Sequence, residues 1–542
     1  MVWSVPVDGN TYEEAQSQFR WQFPSDFNAA NDLVRKHDNL DKKALYEKST
    51  NGEKTSYSFR DIDSLSDDLA FAIEGLGLGQ GDRIAIAGSQ RSETLATHLA
   101  AWKMGAISVP LSCMFGAEGI RYRLNDSGSR VVIAESEMVP SIRAISSKCK
   151  NLEHIISIGG NESNEEPTFE SFVESESARY EIKQTDHETP AIIIYTSGTT
   201  GDPKGVLHTH GIWAGSVPAF YMYFDGMPSE DDVFWTPSDW AWIGSLGNVI
   251  FPPWHFGCPV VGATLEKFSP KEAHAIMAEF DVTKTFLPPT ALRMMKEQSF
   301  ETASLSLEAI LSGSEVLTSD VSEWVSESME GVHLNQVYGQ TEAHSIIATS
   351  QMWFDYRANK LGKSVVGHDV AIVNDEGNTL APGSVGEIAV KFEDDPVVAS
   401  EYWGRPELLD ETHMNGWHLT GDLGMIDEDG YIEFRSRKDD LIISSGYSIN
   451  PLEIEQILAE HPSVEQAGVI GVPDELRGQL IKAFIKPKEK VKPSTKLKTE
   501  LKELVREEVA LYAYPREITF TDQFPTSASG KLDRSKLSSL DN

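Results

Sequence analysis

The residues of this chain best suited to chemistry fall in one segment, Tyr195-Thr-Ser-Gly-Thr-Thr-Gly-Asp-Pro-Lys-Gly205. Thr196, Ser197, Thr199 and Thr200 supply hydroxyls, Gly198, Gly201 and Gly205 leave the backbone unshielded, and Lys204 adds a cation. Glycines let backbone N–H groups approach an anion, and hydroxyls add hydrogen bonds to it. The set suits a triphosphate. It is not a Walker A loop, because Gly205 rather than Ser or Thr follows the lysine. A plain glycine-and-hydroxyl turn is the competing reading. So many donors beside a lysine, directly after an apolar run, weigh against it.

Such a loop needs a rigid strand behind it. Residues 191–195 (Ala-Ile-Ile-Ile-Tyr) read as a buried strand, and 83–87 and 131–134 are similar. Helical patterns at 64–75 and 270–280 alternate with such runs, which predicts α/β layering. Residues 159–176, rich in Glu, Ser and Asn, predict a surface loop. The most apolar stretch, 243–265, carries several prolines and glycines with Asn248 and His255. It reads as buried core, because a spanning helix needs about 20 cleaner residues.

At 542 residues the chain is too long for one core. An apolar fraction of 40% with 9% aromatics excludes a mostly disordered chain. The balance of 47 basic against 83 acidic residues, net −36, repels phosphate backbones and argues against a nucleic-acid partner. Residues 440–542 carry 14 basic and 16 acidic side chains, so nearly all the excess acid precedes them. This shift predicts a small C-terminal domain with the order helix, strand, strand, helix. Asn450-Pro451 caps its first helix, and Leu497, Leu501 and Val505 line the last. The lysine run from 482 to 502 reads either as a solvated face or as a landing surface for a polyanion. Cys113, Cys149 and Cys258 share no metal-ligand spacing and predict a reducing compartment without disulfides. The N-terminus shows no signal-peptide pattern, and the expected location is cytoplasmic.

Further motifs follow in order: Tyr338-Gly-Gln-Thr-Glu342, Thr420-Gly-Asp422, Arg435-Ser-Arg-Lys-Asp-Asp440 with Ser445-Gly446-Tyr447, and Ser529-Gly-Lys531. With the loop at 195–205 they resemble the adenylate-forming enzymes, which include acyl-CoA synthetases, adenylation domains of peptide synthetases and luciferases. The resemblance spans nearly the whole chain. It is strongest to medium-chain acyl-CoA synthetases, through SSGY, DELRGQLIKAF and PREI…SGK.

The resemblance implies a large multi-subdomain α/β domain over 1–438 and a small mobile α+β lid over 439–542, hinged at Asp439. It implies an AMP-forming carboxylate–CoA ligase acting on a carboxylic acid, ATP and CoA, with Mg²⁺. The acid attacks the α-phosphorus to give acyl-adenylate and pyrophosphate, and the CoA thiol then expels AMP. The loop 196–204 is implied to hold the β- and γ-phosphates, Thr341 the α-phosphate, and Glu342 the metal. Ser314, Glu315, Val316, Gln336, Val337, Tyr338, Gly339 and Gln340 are implied to enclose the adenine, with Tyr338 stacked on it. Asp422 and Arg437 are implied at the ribose. Lys531 is implied to bridge carboxylate and α-phosphate, and Gly446 and Tyr447 to line the CoA tunnel after the lid turns. Ser436 stands where glycine is usual, and Ser448 where arginine is common, which removes a cation from the CoA side.

Trp242, Ile243, Gly244, Gly313 and Gly339 match the acyl pocket. Glycine at 339, where acetate enzymes carry tryptophan, predicts a medium-chain, branched or aryl acid rather than acetate. The alternative is that these glycines serve tight backbone packing. A second enzyme reading is a stand-alone adenylation enzyme loading a separate carrier protein. A non-catalytic nucleotide-binding scaffold would lack Lys531, Glu342 or Asp422, and all three are present. A homo-oligomer is compatible with the sequence.

Overall fold

Apolar strands alternating with amphipathic helices need crossover connections, which produce parallel sheets covered on both faces. A computed structural model of the chain contains two mixed sheets whose central strands are parallel. It describes residues 5, 7–160, 166–173, 178–196, 202–265, 267–298, 304–438, 440–444, 447–474, 478–508, 513–526 and 532–541. Their contacts divide the chain into two units. One holds Met1–Val370 with Val390–His418, and the other holds Ala371–Ala389 with Leu419–Asn542. The fold is mixed α/β, with a large N-terminal part and a smaller C-terminal one.

In the large unit, the first sheet runs in the order Glu401–Tyr402, Lys204–Thr209, Pro190–Thr196, Ile107–Pro110, Arg83–Ala87, Val131–Glu135, His154–Ile158. Its last five strands are parallel, and the first two turn antiparallel. The second sheet has nine strands. Its centre places His333–Gln340, Ala309–Gly313, Lys284–Phe286, Phe234–Trp235 and Val260–Ala263 side by side.

The helix expected at 64–75 begins earlier, at Phe59. Ser58 caps it: its hydroxyl accepts from the Asp61 N–H at 3.1 Å, and the Asp61 carboxylate accepts from the Ser58 N–H at 2.7 Å. This capping box starts a first turn too polar for the apolar period to reveal. The stretch 243–265 is core, as expected: short helical segments from Ile243 to His255 precede the buried strand Val260–Ala263. No helix among the described residues is long and apolar enough to cross a membrane. The stretch 159–176 is not loop throughout. Buried Phe169 anchors a helical turn, Phe169–Phe172, with Thr168 as its cap.

In the small unit, Gly478–Pro487 pairs antiparallel with Val464–Asp474 and parallel with Glu517–Phe520. Helix Pro451–Glu460 starts where expected, its Leu452 N–H donating to Asn450 Oδ1 at 2.9 Å. Helix Thr495–Glu508 buries Leu497, Leu501 and Val505. Part of the lysine run is engaged: Lys482 pairs with Glu517, Lys486 with Glu465 and Lys496 with Glu500, and Lys498 lies over the Phe520 ring.

Candidate active site

The phosphate-loop segment begins at a β-hairpin. Pro190–Thr196 and Lys204–Thr209 pair antiparallel, and Thr196 lies opposite Lys204 at the end where the connecting segment begins. Of the expected loop donors, Ser197, Gly198, Thr199, Thr200 and Gly201 lie outside the described residues. Gly205 has a packing reason. A Cβ there would fall 2.8 Å from Ile193 Cγ2 and 3.2 Å from Tyr195 Cζ. Tyr195 is buried, and its hydroxyl donates to Asp126 Oδ2 at 2.9 Å; burial, then the Asp126 charge, pushes its pKa up.

Lys204 extends its ammonium over the Tyr402 ring, 5.1 Å from the centroid. The Tyr402 hydroxyl in turn donates to Glu342 Oε1 at 2.8 Å. The loop lysine and the carboxylate implied to hold a metal therefore meet on one aromatic side chain. Glu342 is also fixed through its backbone, where its carbonyl accepts from the Ala399 N–H at 2.8 Å. Its neighbour Thr341 is held by His208, whose Nε2–H donates to the Thr341 carbonyl at 2.6 Å. Burial pushes His208 down to about 4, so the ring is neutral and carries this single proton to the carbonyl.

The two segments expected around the adenine are adjacent strands. Ser312 lies opposite Gln336, and Gly313 opposite Val337. Ser314 leaves this ladder at φ +70°, a left-handed turn that starts the segment 314–316. Glu315 is turned to a neighbouring helix, accepting from Thr290 Oγ1 at 2.8 Å and Arg293 at 2.9 Å, and Val316 is exposed. Gln336 donates to the Tyr356 hydroxyl at 3.0 Å. Tyr338 is half-buried opposite Ile347, and Gln340 opposite Ala343 closes the hairpin.

The acyl-pocket positions divide in two. A Cβ on Gly339 would fall 2.3 Å from the Ser345 backbone nitrogen, and one on Gly313 would fall 2.6 Å from the Val337 carbonyl oxygen. Both glycines are required by the backbone beside them, so they do not open the wall. Only Gly244 faces space: its nearest neighbours would be Ser314 Oγ at 3.7 Å and Phe286 Cε1 at 4.0 Å. It therefore sits where the segment 242–244 meets Ser314. Ile243 is buried, and Trp242 packs edge-on against Phe115 at 6.0 Å. Asp239 fixes this turn, accepting from the Ala241 N–H at 2.9 Å and from Ser112 Oγ at 2.6 Å.

In the small unit, Asp422 and Arg437 face each other across a two-stranded ladder, with Oδ1 and Nε 3.7 Å apart. Within the strand Trp417–Ile426, Gly421 before Asp422 takes φ +73°, and its N–H donates to Glu387 Oε1 at 2.8 Å. Glu387 Oε2 also takes Lys438 Nζ at 3.0 Å. Ser436 is buried opposite Leu423. Tyr447 pairs with Ser444 through the backbone. Asp439, Gly446 and Lys531 lie outside the described residues.

Tyr402, His208 and Glu387 were not singled out in the sequence. Their partners lie far along the chain, and a tyrosine after glutamate, a histidine in a strand or an acid in a strand carries no local signal. No group of three or more His, Cys, Asp or Glu among the described residues converges as a metal cluster.

The chain matches the family model for the AMP-binding enzyme over residues 34–403 and that for the AMP-binding enzyme C-terminal domain over 453–531. It is 31% identical to the mitochondrial acyl-coenzyme A synthetase ACSM4 of Rattus norvegicus, covering 97% of this chain and 92% of that one. It is 32% identical to the acetyl-coenzyme A synthetase of Bacillus subtilis (97% and 94%). Its fold is similar to that of the anthranilate CoA ligase AuaEII in complex with anthranoyl-AMP, with a TM-score of 0.85 and 28% identity over 95% of this chain and 98% of that one. With both family models matched and relatives above 30% identity along nearly its whole length, this chain belongs to the AMP-binding, adenylate-forming enzyme family.

Proposed function

We propose that the chain is an AMP-forming carboxylic acid–CoA ligase. The observation that carries this is the meeting of Lys204 and Glu342 on Tyr402. Joining a carboxylate to a polyphosphate brings two anions together, so the site must chiefly neutralise charge and align the attack. Lys204 serves the phosphates, and Thr341, held by His208, serves the α-phosphate. Asp422 and Arg437 serve the ribose. Glu342 offers a carboxylate oxygen to Mg²⁺, a hard ion that commonly rests on one or two carboxylates together with substrate phosphates and water. The donor set fits that ion, whose charge would offset that of the phosphate oxygens. Lys531 belongs to the adenylation step and Gly446 to the CoA step, and a turn of the small domain about Asp439 exchanges them.

The acid is medium-chain, branched or aryl rather than acetate. Among similar proteins, an acetyl-coenzyme A synthetase and the acyl-coenzyme A synthetase ACSM4 reach about the same identity. The open face of Gly244 favours the longer acid. The three cysteines form no disulfide, which is compatible with a reducing setting.

The test measures pyrophosphate release with acid and ATP alone, then AMP release on adding CoA, across acetate, butyrate, hexanoate and benzoate. Adenylation followed by CoA-dependent turnover, greater with hexanoate or benzoate than with acetate, is expected. Adenylate without CoA turnover would indicate carrier loading instead, and a preference for acetate would refute the acid class.

A further inference from the structure

Tyr402 touches both charged groups at the phosphate end of the site and belongs to neither of their motifs. Its position is fixed by backbone on each side. It pairs with Val206 across the edge of the first sheet, the Trp403 N–H donates to the Gly205 carbonyl at 2.7 Å, and the Ala399 N–H reaches the Glu342 carbonyl. The side chain is 6% exposed, so it has little room to turn. One face of the ring carries Lys204 Nζ, and the hydroxyl carries Glu342.

A lysine and a carboxylate within reach of one ring attract each other. A direct ion pair would cancel the two charges that the reaction needs separately. Among the described residues no ion pair joins Lys204 to Glu342: the lysine rests on π-electron density and the carboxylate on a neutral donor. Both charges are thereby held in place and left uncancelled.

We propose that Tyr402 is a positioning residue that keeps Lys204 and Glu342 apart, leaving the ammonium available to phosphate and the carboxylate to a divalent cation. The inference rests on the ligase reading and adds to it a role for a residue outside the motifs quoted above for the resemblance.

The experiment is calorimetry of ATP binding to the full-length protein, with and without MgCl₂, for wild type, Y402F, Y402L and Y402L/E342Q. Y402F keeps the ring and loses the hydroxyl. It should bind ATP like wild type without metal and lose about tenfold of the gain in affinity that Mg²⁺ gives, within the range expected for a hydrogen bond to a charged group. Its melting temperature should stay within a few degrees of wild type, since the ring still fills its site. Y402L releases the lysine onto Glu342, so metal-free ATP affinity should fall severalfold; E342Q on that background should restore it by removing the competing charge. A purely structural tyrosine would give no such rescue.

Y402F with the full Mg²⁺ gain, or a double variant no better than Y402L, would overturn the inference while leaving the ligase reading intact. A wild-type protein whose ATP affinity ignores Mg²⁺ would overturn both.

Discussion

Gly244 is the one pocket glycine with room beside it, and replacing it should rewrite acid preference without disturbing the fold. A Cβ at this position would contact only Ser314 Oγ at 3.7 Å and Phe286 at 4.0 Å, ordinary van der Waals distances. Leucine places three further carbons beyond that Cβ, so it should displace about three carbons of substrate. At ~0.8 kcal/mol per buried methylene, the loss is ~2.4 kcal/mol, or about sixtyfold in kcat/KM for hexanoate relative to acetate. The assay is pyrophosphate release with each acid for wild type, G244A and G244L. G244A should lie between them. The contrast is G339A, where the new Cβ would lie 2.3 Å from the Ser345 nitrogen and the neighbouring backbone must move. That variant should lose stability, by about 1–3 kcal/mol as for an overpacked core, whichever acid is offered. If G244L leaves the hexanoate-to-acetate ratio unchanged, or G339A is as stable as wild type, the division of the pocket glycines made here is wrong.

Lys531→Ala should slow adenylation far more than thioester formation from supplied acyl-adenylate, and Gly446→Leu should do the reverse; single-turnover measurement of each half-reaction distinguishes them, and equal losses in both steps would refute the assignment. Burial holds His208 at about 4, and His98, His210, His344 and His418 at about 3, all below their unfolded value near 6.5. Their contribution is therefore full above pH 6.5 and is lost as pH falls from there toward 3. Urea unfolding at pH 7, 6 and 5 should show stability dropping, with about five protons taken up on unfolding near pH 5; a flat profile would contradict the neutral, buried rings. Ser58→Ala should cost about 1 kcal/mol by removing a cap, read from the urea midpoint of the large unit.

The parallel-sheet architecture was legible because its strands are short apolar runs at regular intervals, such as 83–87 and 191–195. The small-unit helices were equally clear, since Asn450-Pro451 and the Leu497–Leu501–Val505 spacing are local signals. The start at Phe59 was not, because the capping box lies in polar sequence. Within the site, the motif residues announce themselves by type and spacing, but their mutual arrangement does not. Tyr402 reaches Glu342 and Lys204 only because a two-residue edge strand attaches beside Lys204–Thr209. The glycines of the pocket show the limit most plainly. Sequence gives three similar vacancies at Gly244, Gly313 and Gly339, while only the neighbouring backbone decides which of them is vacant.

The smaller unit takes one of its pieces, Ala371–Ala389, from the middle of the larger unit's sequence, so the chain crosses the border three times. That piece carries Glu387, which fixes Gly421 and Lys438. A chimera made with a single crossover after residue 418 would inherit the Asp422–Arg437 ladder from one parent and its anchoring acid from the other. Recombination between relatives therefore respects this protein's architecture only when the inserted nineteen-residue piece travels with the tail.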